Sequence, residues 1–131
     1  NLSFAHLAHA DLTGANLQGA NLEGANLSHA TLLSANLQQA RLQNVKLNKG
    51  DVQKANLMGA DLTGANLLSA KLCYSNLQQA NLTNAGFLFT RLQGANFRQA
   101  LLQGTNFIGA NLSLADLSET EIEPAILPNG D

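Results

Sequence analysis

Large apolar residues recur at every fifth position from Leu2 to Leu127 without a slip in phase. Of the 26 members of this series, 21 are Leu, and the others are Val52, Phe87, Phe97, Phe107 and Ile122. Two positions before each, from Leu7 on, lies a mostly small residue, which is Ala in 19 of 25 units. The residue between is mostly Asn or Asp, as in Ala15-Asn16-Leu17 and Ala60-Asp61-Leu62. In an α-helix a step of five turns about 140°, so the Leu series would smear around every side. In one straight strand an odd step would place successive Leu on opposite faces. The pattern resolves if each unit is a short extended piece followed by a bend. Alternation then points the small residue and Leu inward and Asn outward, and the next two residues turn the corner.

The glycines fit that corner. Eight of the 11 occupy the second position after the large residue, at Gly14, Gly19, Gly24, Gly59, Gly64, Gly94, Gly104 and Gly109. A type II turn needs positive φ there, which Gly adopts without a Cβ clash. Where the slot holds Gln39, Lys54 or Phe89, a different turn type is expected. The chain therefore bends around an axis filled by Leu, each coil stacking on the last at about 4.8 Å. The exchange of Leu for Phe87, Phe97 and Phe107 reads as local repacking of that axis.

The repeated Ala-(Asn/Asp)-Leu-x-x unit resembles the pentapeptide-repeat family, and residues 13–27 (TGANLQGANLEGANL) are close to its ideal motif. The match covers about residues 1–122. The resemblance implies an all-β fold, a right-handed quadrilateral β-helix with four pentapeptides per coil and about six coils. Pro124 falls in the second corner slot, where its fixed φ is wrong. Regular coiling is therefore expected over 1–123, with 124–131 an irregular tail. Neither end carries a helical cap. The chain begins at Asn1, not Met, as a processed or excised piece would; it reads as cut from a longer chain, as one whose ends pack on each other, or as one whose tail suffices to cover the open coil.

With 20 residues per coil, residues 20 apart stack in columns. Leu68, Leu88 and Ile108 form one such column with Phe89 beside it, at outward corner positions. This is the candidate partner-binding stripe. The column Asn16, Asn36, Asn56, Asn76 and Asn96 reads as a structural amide ladder. His6, His9 and His29 fall on one face near the N-terminus, without the convergence a zinc site needs. Arg41 is expected to pair with Asp61, and Asp51 with Lys71.

Charged residues make up 12% of the chain, about half the usual share, and the formal charge is −2. No clustered cations of the kind nucleic acid requires are present, and no apolar run approaches a membrane span. One cysteine excludes an intrachain disulfide. It fits the cytoplasm, with the periplasm or thylakoid lumen as alternatives. Cys73 has no base near it, and no nucleophile set, phosphate loop or cofactor fingerprint appears. A Leu-filled axis leaves no pocket of the usual kind. No catalytic residue, metal ligand or cofactor is expected. The expected function is a non-enzymatic scaffold that binds an unknown protein partner through its surface. The alternative comes from the resemblance, since some family members mimic duplex DNA as acidic rods and inhibit gyrase. Here the carboxylates are scattered and cations interrupt them. Ice binding would need regular outward Thr columns, which Thr13, Thr31, Thr63 and Thr83 do not make. The family is especially abundant in cyanobacteria.

Overall fold

The computed structural model describes residues 1–123 and 125–130. Parallel bridges join residues 20 apart, from His6–Asn26 through Asn106–Ile126. Four pentapeptides therefore complete one coil, and about six coils stack into a square rod. The first face is built on Leu2, Leu22, Leu42 and their successors. The second follows Leu7, the third Leu12 and the fourth Leu17. No helix is long and apolar enough to cross a membrane among the described residues.

The repeat can be understood by asking where each backbone N–H goes. In residues 36–40, Leu37 N–H donates to Asn56 O of the next coil at 2.7 Å, and Gln39 N–H to Met58 O at 2.9 Å. Asn36 N–H donates to Ala15 O of the preceding coil at 2.9 Å, and Ala40 N–H closes the corner on Leu37 O at 3.0 Å. The fifth donor, Gln38 N–H, has no main-chain partner. It donates instead to the Asn36 side chain, Oδ1, at 3.1 Å. Every Asn or Asp at that slot makes this bond, from Asn1 to Ser3 N–H through Asp116 to Ser118 N–H. The preference for Asn and Asp is thus a turn cap. The expected amide ladder is secondary: Asn36 reaches Asn16 at 3.5 Å and Asn76 reaches Asn56 at 3.4 Å, both long.

All regular corners adopt positive φ at their second residue, including Gln39 (57°), Lys54 (58°) and Phe89 (55°). This corrects the expected change of turn type. The left-handed conformation costs a non-Gly residue about 1–2 kcal/mol, but any other turn would pull its N–H out of the ladder. Glycine at the corner has a second use. The Phe4, Tyr74 and Phe89 side chains each lean over the corner of the next coil, and there they meet Gly24, Gly94 and Gly109. A Cβ on Gly94 would lie 2.6 Å from the Tyr74 ring.

The inward Leu, Val and Phe side chains are fully buried from Leu22 to Phe97, and again at Phe107. Each contributes about 1.5–3 kcal/mol. Phe87 stacks on Phe107 at 5.2 Å, and Phe97 meets the pair edge-on. The larger rings replace Leu within one continuous core. Thr90 and Thr105 take the inner small slot beside them, their buried hydroxyls donating to Leu67 O at 3.0 Å and Leu82 O at 2.8 Å. Leu7, Leu12 and Leu17 at one end and Leu112 and Leu117 at the other are only partly covered.

Pro124 lies outside the described residues. Among those described, Leu102 and Gly104 N–H make no ladder bond to residues 121 and 123. The coil nevertheless resumes. Ile126 N–H donates to Thr105 O at 2.8 Å, Phe107 N–H to Ile126 O at 2.8 Å, and Gly109 N–H to Pro128 O at 2.9 Å. Residues 125–130 thus keep coil register where an irregular tail was expected. The reason is local: Ala125-Ile126-Leu127 repeats the small-x-large pattern. Pro128 takes the first corner slot, whose N–H is never a ladder donor, so the missing donor costs no ladder bond.

Comparing Gly59→Ala with Gly94→Ala separates the two uses of corner glycine. A Cβ on Gly59 would meet only Gln39 Cγ at an ordinary 3.5 Å. Gly59→Ala is expected to cost about 1 kcal/mol in urea unfolding, from φ alone. Gly94→Ala should cost about 1 kcal/mol more, because the Tyr74 ring must move.

Candidate partner-binding face

The side chains that point outward are organised by column. Leu68 and Ile108 are 38% and 37% exposed, Leu88 is half-buried and Phe89 is 61% exposed. The ridge lies at the corner between the second and third faces. The Phe89 ring is laid over Gly109, which fixes its direction along the rod. Sequence reasoning missed the next member of the column. Pro128 is held in register above Ile108 by the Gly109 bond, and it extends the apolar ridge over four successive coils.

Gly86 is the second omission. It occupies the outward slot between Asn66 and Asn106 on the second face, two residues before Leu88. Its φ is not in the left-handed region. A Cβ there would meet only Leu88 Cδ1 at 3.9 Å and Ala65 O at 4.0 Å. The fold therefore has no need of glycine at this position, unlike Gly50, whose Cβ would press on Leu47 O at 3.0 Å. What Gly86 does is bare the main chain beside the ridge, and such a glycine suits close approach by another molecule. The signal in the sequence was a Gly in the Asn/Asp slot.

The third face carries Lys71 directly below Arg91 in the ladder. Both are exposed and make no ion pair among the described residues. Asp51, the expected partner of Lys71, accepts instead from the Gln53 backbone at 3.2 Å and side chain at 3.1 Å. Arg41 pairs with Glu23 at 3.5 Å rather than with Asp61, whose carboxylate is taken by Gln43 at 2.9 Å and by Thr63. Asp51 is captured by its own corner, and Asp61 is shared between its own corner and Gln43 of the preceding coil.

The charges divide by face. The second and third faces carry Lys46, Lys49, Lys54, Lys71 and Arg91 against Asp11 and Asp51. The first and fourth carry Glu23, Asp61, Asp116, Glu119, Glu121 and Glu123 against Arg41 and Arg98. The chain is nearly neutral as a whole, but its cross-section is polarised. On the acidic side, Glu119 bonds Arg98 at 2.7 Å and Gln99 at 2.7 Å. Those hydrogen bonds, Arg98 first, hold the Glu119 carboxyl below its usual range, and the bond to Glu119 raises Arg98 above its own. Asp11 and Asp116 are likewise lowered, by the Thr13 and Ser118 hydroxyls and then by the N–H groups of the same residues.

The other chemical residues do not converge. His9 and His29 stack at 4.8 Å with 13° between their rings. No group of three or more metal-ligating side chains assembles among the described residues. Cys73 is half-buried and its Sγ donates to Gln93 Oε1 at 3.1 Å. An open cleft of about 280 Å³ lies where the ladder parts near the C-terminal end, lined by Gln99, Leu101, Leu102, Glu119 and Glu121 among others.

The lowered pKa of Glu119 stabilises the fold above the ordinary glutamate range, and that contribution is lost as the carboxyl protonates in more acidic solution. Glu119→Gln should therefore lower the melting temperature slightly near neutral pH and not in acid, and added salt should shrink the difference. A difference that grew in acid would contradict the assignment.

The family described as pentapeptide repeats matches in eight copies, over residues 1–32, 25–64, 35–73, 60–99 and 95–127. No curated protein matches. Among solved structures, a pentapeptide repeat protein of the Arabidopsis thaliana thylakoid lumen is 27% identical with a TM-score of 0.65, covering 66% of this chain and 61% of that one. A trypsin-treated variant of QnrB1, a plasmid-mediated fluoroquinolone resistance protein, is 26% identical with a TM-score of 0.70, covering 89% and 64%. Rfr23, from the cyanobacterium Cyanothece 51142, is 33% identical with a TM-score of 0.52, covering 82% and 64%. The chain thus spans under two thirds of the length of each of these three structures. The fold they share with it is the right-handed quadrilateral β-helix.

Proposed function

The chain belongs to the pentapeptide-repeat family, and from that premise we propose that it is a non-enzymatic scaffold holding a protein partner on the ridge of Leu68, Leu88, Phe89 and Ile108. The single observation that carries this reading is Gly86. A residue the fold does not need lies beside exposed apolar side chains and opens the main chain to contact. Solenoids present extended faces of this kind to partners, and the solid core directs function outward. Pro128 lengthens the ridge beyond the residues expected from sequence. The cysteine content favours the cytoplasm, and the luminal structural neighbour keeps the thylakoid lumen as the alternative.

A second reading, a DNA-mimicking gyrase inhibitor, draws on the likeness to a fluoroquinolone resistance protein and on the six carboxylates of the first and fourth faces. Five cations on the other two faces break the uniformly negative surface that mimicry requires. Gyrase supercoiling unaffected by excess protein would exclude it.

The scaffold reading is tested by affinity capture from lysate of the source organism, comparing wild type, Leu88→Asp/Phe89→Ser and Gly86→Gln. A Cβ at Gly86 meets no close contact, so Gly86→Gln should melt within about 0.5 kcal/mol of wild type. The expected result is a partner held by wild type and reduced about tenfold by each variant. Undiminished capture by both variants would refute the ridge.

A further inference from the structure

The ridge borders three backbone N–H groups and two cations that have no acceptor among the described residues. Corner N–H groups are capped wherever Asn or Asp precedes them. In the fourth and fifth coils that slot holds Lys71, Gly86 and Arg91 instead, and the N–H groups of Cys73, Leu88 and Gln93 make no hydrogen bond among the described residues. The same three substitutions therefore do two things. They remove the side-chain acceptors, and they add two stacked cations without counter-ions.

We infer that this part of the second and third faces receives an acidic amphipathic segment of a partner protein, its apolar residues on the ridge and its carboxylates on Lys71, Arg91 and the uncapped N–H groups. The inference rests on the ridge reading and names the partner's chemistry. Carboxylates are the protein side chains that satisfy charged and neutral donors together, and bonds to them are the strong ones. Charge complementarity sets the choice of partner, because a basic segment would meet five cations on these faces. Nucleic acid fits less well. The ridge is mainly aliphatic, its one ring Phe89 lies at one corner of the third face and the exposed Tyr74 at the other, and Asp51 limits the cation column to Lys71 and Arg91. A lipid surface fits less well too, since the cation column lies on one flank of the ridge, whereas interfacial insertion favours cations around the apolar wedge.

The test is fluorescence anisotropy with a labelled 18-residue peptide of Leu and Glu in amphipathic order, against its counterpart with Lys for Glu. Wild type should bind the Glu peptide at low salt and not the Lys peptide. Binding should weaken at least tenfold in Lys71→Gln/Arg91→Gln and should be retained in Lys71→Arg/Arg91→Lys. No binding of the Glu peptide, equal binding of the two peptides, or an unchanged affinity after charge removal would each overturn the inference. So would tighter binding to oligothymidine or to phosphatidylserine vesicles. Salt-sensitive self-association lost on charge removal would overturn it as well, making a second copy the occupant. The ridge reading fails separately. If a captured partner is lost in Leu88→Asp/Phe89→Ser but kept in Lys71→Gln/Arg91→Gln, the ridge stands and the acidic partner falls.

Discussion

Five backbone N–H groups per unit must find acceptors, and the coil exists because this sequence provides them. Three donors go to neighbouring coils and one closes the corner. The fifth depends on a side chain, which is why Asn and Asp dominate one slot. The Leu column then fills an axis whose width the ladder has already set. Positive φ at Gln39, Lys54 and Phe89 follows from the same constraint. Local strain is accepted because the alternative is an unpaired ladder group.

This division of labour frees the outside of the rod. Inner slots are dictated by packing and the corner by hydrogen bonding, so departures from the repeat on the surface carry information. Gly86, Lys71 and Arg91 are departures of that kind, and they cluster beside the apolar ridge. The same reasoning demotes other features. The stacked His9 and His29 occupy second-corner positions that elsewhere in the rod hold Gln, Lys, Ser or Gly equally well. The expected ion pairs dissolve because Asp51 and Asp61 are already committed to their own corners.

Much of this was legible in the sequence because a period of five without slips leaves few architectures. The axis residues and the inward Ala follow from counting, and the column of Leu68, Leu88 and Ile108 follows from the four units per coil that the resemblance implies. What counting could not supply was the fate of individual N–H groups. The outward Asn read as a coil-to-coil amide ladder until its cap was seen. The position of Pro124 suggested an irregular tail, yet Ala125, Ile126 and Leu127 rejoin the ladder. Gly86 passed unnoticed because its meaning depends on the absence of any contact that would forbid a side chain. Pairing of charges across coils failed for a related reason: stacking says which residues are adjacent, but a corner N–H two residues away is the nearer claimant.

Amide hydrogen exchange resolved by residue tests the central claim most directly. Within the middle coils, the capped N–H groups of Gln38, Met58 and Gln78 should exchange slowly, in step with the ladder donors around them. Those of Gln43, Cys73, Leu88 and Gln93 should exchange much faster, although they occupy the same slot in neighbouring units. Equal protection across both sets would contradict the account, since the side-chain cap would then have no part in holding the corner.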